Sequence, residues 1–383
     1  MIRMLLFLLA ILPLLGACSP GQVPSTTTTH PVSSTPSPAT VSPPTSNLPP
    51  PTSQTPWAQI EAAAKKEGKL NSYSFSLIGE AGIKVAGAFR QRYGITMDII
   101  TGPGASLAER IKVEKRAGQL NADFHDGSAV NLQNMKSDRL LVSVYNDLPV
   151  SREKAVWHLE PSSSDPADAT ILAFVPVYFN PYINVNLVKP EQEPKSYKDF
   201  LDPKWQGKLS IADPSISPGP YQMLVPLLEK GIVTEEYVKA LGQQQLRFFT
   251  TITQEMNALS RGEHLASIRG SDAQASAFVQ EKAPIKAIAL NEGTLVTVRA
   301  ISAIDGGPHP NATRLFMNWL LGPEGQAVYT KSLGMAPVRK DVADARPEGV
   351  KVPATNLILV TNEHDAKAAK LFTDKWLLKL WGK

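Results

Sequence analysis

Cys18 is the sole cysteine among 383 residues, so no internal disulfide can form and its thiol is left for another purpose. The six histidines, at 30, 125, 158, 264, 309 and 364, are scattered, with no HExxH or other close metal-binding spacing. No GxSxG elbow is present. His125 and Asp126 are adjacent, but neighbours on a strand point to opposite faces, so they do not cooperate easily as an acid–base pair and His125 reads as structural. These absences argue against an enzyme. A net charge of only +4, with no basic stripe interleaved with aromatics, argues against nucleic-acid binding. Residues 19–56 contain no Asp, Glu, Lys, Arg, Phe, Trp or Tyr. Such a stretch cannot bury enough apolar surface to offset its ordering entropy.

What is present begins with a short basic start, residues 1–3, and an apolar run, residues 4–15. That run is shorter than the roughly twenty residues of a membrane span and suits a secretory signal. Leu15-Gly16-Ala17-Cys18 resembles the lipobox of bacterial lipoproteins, in which the cysteine is acylated and becomes the new N-terminus. The competing reading is an ordinary signal peptide with a cysteine at its cleavage site. Two or more acyl chains, palmitate among them, make anchoring stable where one is marginal. Residues 1–18 are therefore read as signal peptide and lipobox. Residues 19–56 are read as a disordered Ser/Thr/Pro tether, semi-rigid and up to about 3.1 Å per residue in length.

From Trp57 onward the composition is globular. About 327 residues exceed one typical core, so two lobes are expected. Helical spacing over 58–67 and 83–93, strand patterns over 69–76 and 95–101, a helix carrying Leu107 and Ile111, and a third strand and loop over 122–128 alternate along the first part. That alternation predicts an α/β fold on a parallel sheet, with ligand sites beyond the carboxyl ends of the strands. The cleft loops are then Tyr73, Ser74 and Ser76; the GPGAS turn with Gly104, Ala105 and Ser106; and Asp126 with Ser128. Ser106 is expected to cap the helix that follows. The alternative for the GPGAS turn is a tight strand-to-helix connection with no ligand. The β-branched, aromatic run 170–188 suits an extended crossing between lobes, and 285–304 suits the return. Residues 57–177, 178–287 and 288–383 are thus assigned to lobe 1, lobe 2, and the return to lobe 1 with C-terminal helices.

Three phrases carry a family likeness: LDPKWQGKLSIADP (201–214), ATRLFMNWLLGPEGQAVYTKSLGMAPVRKDV (312–342) and RIKVEKRAGQLNADF (110–124). They resemble the bacterial extracellular solute-binding proteins that feed ABC importers, within the group of ferric-ion, thiamine and aminoethylphosphonate binders. The resemblance implies a two-lobed type II periplasmic-binding-protein fold with a hinged cleft. It also implies a small-molecule solute, delivery to an ABC permease, no cofactor, a monomer, and binding without chemistry. A ligand-presenting sensor shares the fold and stays open as an alternative.

Ferric binders of the group hold the metal with a tyrosine pair. Here the matching positions are Ser271 and Asp272, with Ile78 and Ser128 near the histidine and glutamate positions, so a bare ferric ion is disfavoured. A polar, anionic or zwitterionic solute is expected instead, with iron or an iron complex as the alternative. Arg269 is the candidate for a bidentate pair with a carboxylate or phosphonate, against a purely structural role. Asp272 is either a ligand contact or the N-cap of a following helix. Ser217 and Gly219 match the family's anion loop, although Pro218 and Pro220 remove two amide donors there. Tyr178, Asn180, Tyr221 and Glu292 complete the candidates, with hinge packing the alternative for Tyr178.

Overall fold

The computed structural model describes residues 57–217, 219–353, 356–360 and 372–381. The expected signal, Cys18, the tether and Pro218 lie outside them. Trp57–Glu67 (α1) leads into β1, Lys69–Ser74, with Gly68 reversing the chain in the left-handed region at φ +64°. Next come α2 (Gly79–Tyr93), β2 (Thr96–Thr101), α3 (Gly104–Arg116), β3 (Phe124–Ser128), α4 (Ala129–Ser137) and the short β4 (Leu141–Val142). β5 (Leu172–Asn184) follows, a 13-residue strand whose residues are almost all buried. At about 3.3 Å per residue it is long enough to run through two layers of packing. β6 (Leu209–Ala212), α5 (Gly219–Glu229), α6 (Glu235–Gly242), β7 (Arg247–Phe249), α7 (Ile252–Ser260), β8 (Ala266–Ser271), α8 (Asp272–Gln280) and β9 (Ile285–Ala287) make up the middle of the chain. β10 (Thr294–Ile304), α9 (Pro310–Leu321), α10 (Pro323–Leu333) and β11 (Leu357–Leu359) follow.

The main strand order is β2-β1-β3-β10-β5-β8-β6-β7. β1 pairs parallel with β2 and β3, and β6 pairs parallel with β7 and β8. Between these parallel sets, β10 and β5 run antiparallel to each other and to their outer neighbours. The parallel set β2-β1-β3 is the one that the alternation in the first part of the chain predicted, and a second parallel set lies beyond two long shared strands.

Two principal hydrophobic clusters flank the shared pair. One gathers Val85, Phe89, Phe124, Phe316 and Trp319; the other gathers Phe200, Trp205, Leu209, Leu224 and Leu241. Phe179 on β5 packs against both. α9 and α10 contribute to the first cluster, whereas Ile358 and Leu377 sit in the second. Among the described residues no helix is long and apolar enough to cross a membrane.

Candidate functional site

Side chains on β5 alternate between two faces, as the strand period requires. Val177 and Phe179 face a cleft of about 240 Å3, while Pro176 and Tyr178 face a second cavity of about 620 Å3 behind the strands. Thr297 and Arg299 of β10 share the cleft face, and Val296 lies on the back. Phe75 and Ser128 close the cleft from the β1–β3 side. Ser217, Gly219, Gln222, Arg269, Ser271 and Gln274 close it from the β6–β8 side.

Two arginines dominate this cleft, and each sits where a ladder loses register. Between Asn180 and Tyr182 the β5–β8 pairing slips, so Ile268 and Arg269 together oppose Pro181. Such an extra residue bends a strand and re-aims a side chain. Arg269 is 4% exposed, and its guanidinium lies 3.8 Å from the Phe179 ring centroid. Its Nη2 donates to Gln222 Oε1 at 3.3 Å, and its Nε has no partner. A Cβ at Gly219 would lie 2.9 Å from Nη1, so glycine is what lets the guanidinium rest against the start of α5. Burial pulls the Arg269 pKa down to about 10, which leaves it charged at neutral pH.

Arg299 lies at the second slip, between Arg299 and Ala300 in the β10–β5 ladder. Its Nη1 donates to the Tyr329 hydroxyl at 3.2 Å. Burial opposes its charge, yet Tyr329, Asp126 and Asp272 together raise its pKa above the ordinary arginine value. The cleft thus places two cations beside an aromatic face.

The other predicted residues are distributed more widely. Ser128, Ser217, Gly219, Arg269 and Ser271 come together at the cleft. Tyr73 does not line it: its ring packs with Leu107 and Ile111 beneath Arg110, and its hydroxyl donates to Glu114 at 2.6 Å. Ser74 Oγ accepts from the Ser76 and Leu77 amides and shapes the turn. Ser76 donates to Asp126 in a closed corner with Tyr329, and Asp126 Oδ1 has no hydrogen-bond partner there. Gly104, Ala105 and Ser106 are not among the cleft-lining residues. Ser106 is not a cap, because α3 starts at Gly104 and Pro103 takes the cap position.

Asp272 is the first residue of α8, and Ser271 holds the cap position without a side-chain bond. Its carboxylate turns to the back of the strands, accepting the Tyr178 amide at 3.0 Å and lying 3.6 Å from Arg346. Tyr178 lies under Arg346 on that same side. Asn180 Oδ1 accepts from Thr294, Tyr221 packs edge-on to Phe372, and Glu292 accepts the Tyr197 amide at 3.0 Å. Arg299, Phe179 and Gln222 were missed. An arginine inside the apolar alternation of LVTVRAIS was the available signal for Arg299.

The model of the family described as bacterial extracellular solute-binding protein matches residues 84–356. The chain belongs to this family. As a member it is the solute-binding component of an ABC importer, working outside the cytoplasm. Iron-bound HitA from Pseudomonas aeruginosa is 20% identical with a TM-score of 0.63, over 82% of this chain and 98% of its own. AfuA from Actinobacillus pleuropneumoniae, solved with exogenous fructose-6-phosphate, is 19% identical with a TM-score of 0.60, over 80% and 98%. Trichodesmium IdiA (FutA), solved with iron and citrate, is 18% identical with a TM-score of 0.62, over 82% and 98%. An uncharacterized protein of Haemophilus influenzae is 22% identical over 71% of this chain and 78% of its own length. At these identities the solved structures show the two-lobed type II fold and leave the cargo to the residues of the cleft. Among the described residues no group of three or more His, Cys, Asp or Glu side chains is placed to hold a metal ion.

Proposed function

We propose that the solute-binding protein captures a small anionic or zwitterionic molecule between Arg269 and Arg299 and hands it, unaltered, to its permease. The observation that carries the reading is the convergence on one cleft of the buried Arg269, stacked on the Phe179 ring, and the half-buried Arg299. Charge-assisted bonds to a carboxylate, phosphate or phosphonate are the interactions that such a pair favours. Ser128, Ser217 and Ser271 add hydroxyls to the same wall. The two halves act as lobes divided near 177 and 287, with β5 and β10 as the crossings, and ligand shifts their open–closed balance. Cys18 carries the lipid anchor after signal cleavage, the 19–56 segment is the tether, and the protein is a monomer.

A second reading is a ferric–citrate complex, supported by the likeness to a protein solved with iron and citrate. Citrate carboxylates would meet the same arginines. The test is a thermal-shift screen of sugar phosphates, phosphonates, organic acids, amino acids, thiamine, ferric salts and ferric citrate, followed by calorimetry of the hits. An anion that raises Tm and is recovered unchanged supports the proposal. A rise with cations alone, or conversion of the added compound, overturns it. Mass spectrometry of the mature N-terminus tests the anchor: an unmodified residue downstream of Cys18 removes it.

A further inference from the structure

Behind Arg269 lies a carboxylate that the cleft itself does not use. Glu255 on α7 is fully buried. Its Oε1 accepts from Ser210 Oγ at 2.6 Å, whereas its Oε2 has no hydrogen-bond partner. Ser210 is paired with Ser267 across the β6–β8 ladder, and the Ser267 hydroxyl and Arg269 Nε are also without partners. Glu255 and Arg269 therefore act on each other through space, with no hydrogen bond fixing the pair.

The surroundings leave few competitors. α7 has no other ionisable side chain, and β6 has none. β8 supplies only Arg269, and β5 supplies the buried Tyr182 and Tyr178, the latter turned to the back under Arg346. α8 supplies Asp272, whose partner is Arg346, and β7 supplies the exposed Arg247. His264, at the foot of β8, is held neutral by burial and by Arg247.

We propose that Glu255 is a proton-accepting positioning residue: an anion seated against Arg269 replaces Glu255 as its countercharge, and Glu255 then takes up a proton from water. This inference rests on the anion reading above. In the empty cleft burial raises the Glu255 pKa to about 7, although the Ser210 hydroxyl and Arg269 pull it down. A bound anion cancels the pull of Arg269 and adds repulsion, so the carboxyl holds its proton more tightly. By linkage, whatever binding adds to proton affinity, protons add to ligand affinity. Capture is then tighter on the acid side and weakens as pH rises through the pKa of the empty form. Glutamine keeps an oxygen for Ser210 and has no proton to gain.

The test is titration calorimetry of the full chain with fructose 6-phosphate and with a sugar sulfate, at about pH 7 in buffers of different ionisation heat. Glu255→Gln measured alongside cancels the titration of the ligand itself. The wild type should take up about half a proton more than the variant, a group poised at its pKa having about half to gain. Its affinity should fall about five- to tenfold between about pH 6 and about pH 8.5, while the variant stays flat and binds more tightly at the alkaline end. Equal proton counts, or a variant weakened equally at every pH, overturn the proposal and leave the anion reading standing. Failure of these probes and of every other anion in the thermal-shift screen to bind the wild type overturns both. If Glu255→Gln does not fold, Ser210→Ala serves: losing that hydroxyl raises the Glu255 pKa, so the uptake window must move to higher pH. An unmoved window overturns the proposal.

Discussion

The front and back faces of β5 and β10 each hold a deeply buried arginine, and the two arginines are treated in opposite ways. On the front, Arg269 meets an aromatic face, one amide oxygen and empty space. On the back, Arg346 is clamped by Asp344 through Nε and Nη2, at 3.1 Å and 2.7 Å, and faces Asp272 as well. Both stack on an aromatic side chain, Phe179 in front and Tyr178 behind, so the stacking is common to both and does not distinguish them. The carboxylates do. A guanidinium hydrogen-bonded to a protein carboxylate is a strut, and one with no carboxylate bonded to it is open to a guest. The larger cavity is therefore the weaker candidate for the cargo, although Arg346 lines it.

The sharpest way to break this contrast is Arg346→Ala. It strands Asp272, and removing one partner of a buried pair typically costs about 3–5 kcal/mol. Urea unfolding should show that loss, with solute affinity changed far less. An affinity collapse with unchanged stability would reverse the two roles. Next come Arg269→Met and Arg299→Met, each expected to weaken anion binding by about 2–5 kcal/mol in calorimetry. Stability should hold or rise for Arg269→Met, because a buried charge with no carboxylate bonded to it has been removed.

A pH measurement sharpens the back face. Burial raises the Asp272 pKa to about 6 despite Arg346 and the Tyr178 amide. A carboxyl that binds its proton more tightly when folded favours the fold below its unfolded value, and that favour is lost as pH rises through the folded one. Asp272 should therefore withdraw roughly 3 kcal/mol between about pH 4 and about pH 6. Asp272→Asn should flatten that part of the stability curve, and an unchanged slope would clear Asp272 of the effect. The smallest expected change is Gly219→Ala. The added methyl displaces the Arg269 guanidinium and should weaken the anion by about 1 kcal/mol, as misplacing one charge-assisted bond does. Binding as tight as in the wild type would show that the close approach is dispensable.

Much of the architecture was legible because periodicity records burial directly. The alternating segments up to β3 and the long apolar runs over β5 and β10 had to fold much as they do. The site was less legible because it depends on which way side chains point, and register slips decide that. Arg269 was found through its place beside a presumed loop. Arg299 was passed over because a regular strand gives no sign of where its ladder will slip. Tyr73 shows the converse error, since it lies on a strand aimed at the cleft while its ring points to the helices beneath. Asp272 was expected at the head of its helix and is there, but its carboxylate serves the backbone of β5 instead of capping.

The extra residue in β8 gives the chain an unusual lever. Because two residues there stand against one of the neighbouring strand, the bearing of a buried cation is set by how two strands pair and not by the walls around the cargo. Diversification of cargo among related receptors then need not begin inside the binding cavity. Adding or removing one residue at such a slip would swing the charged arm to a new bearing.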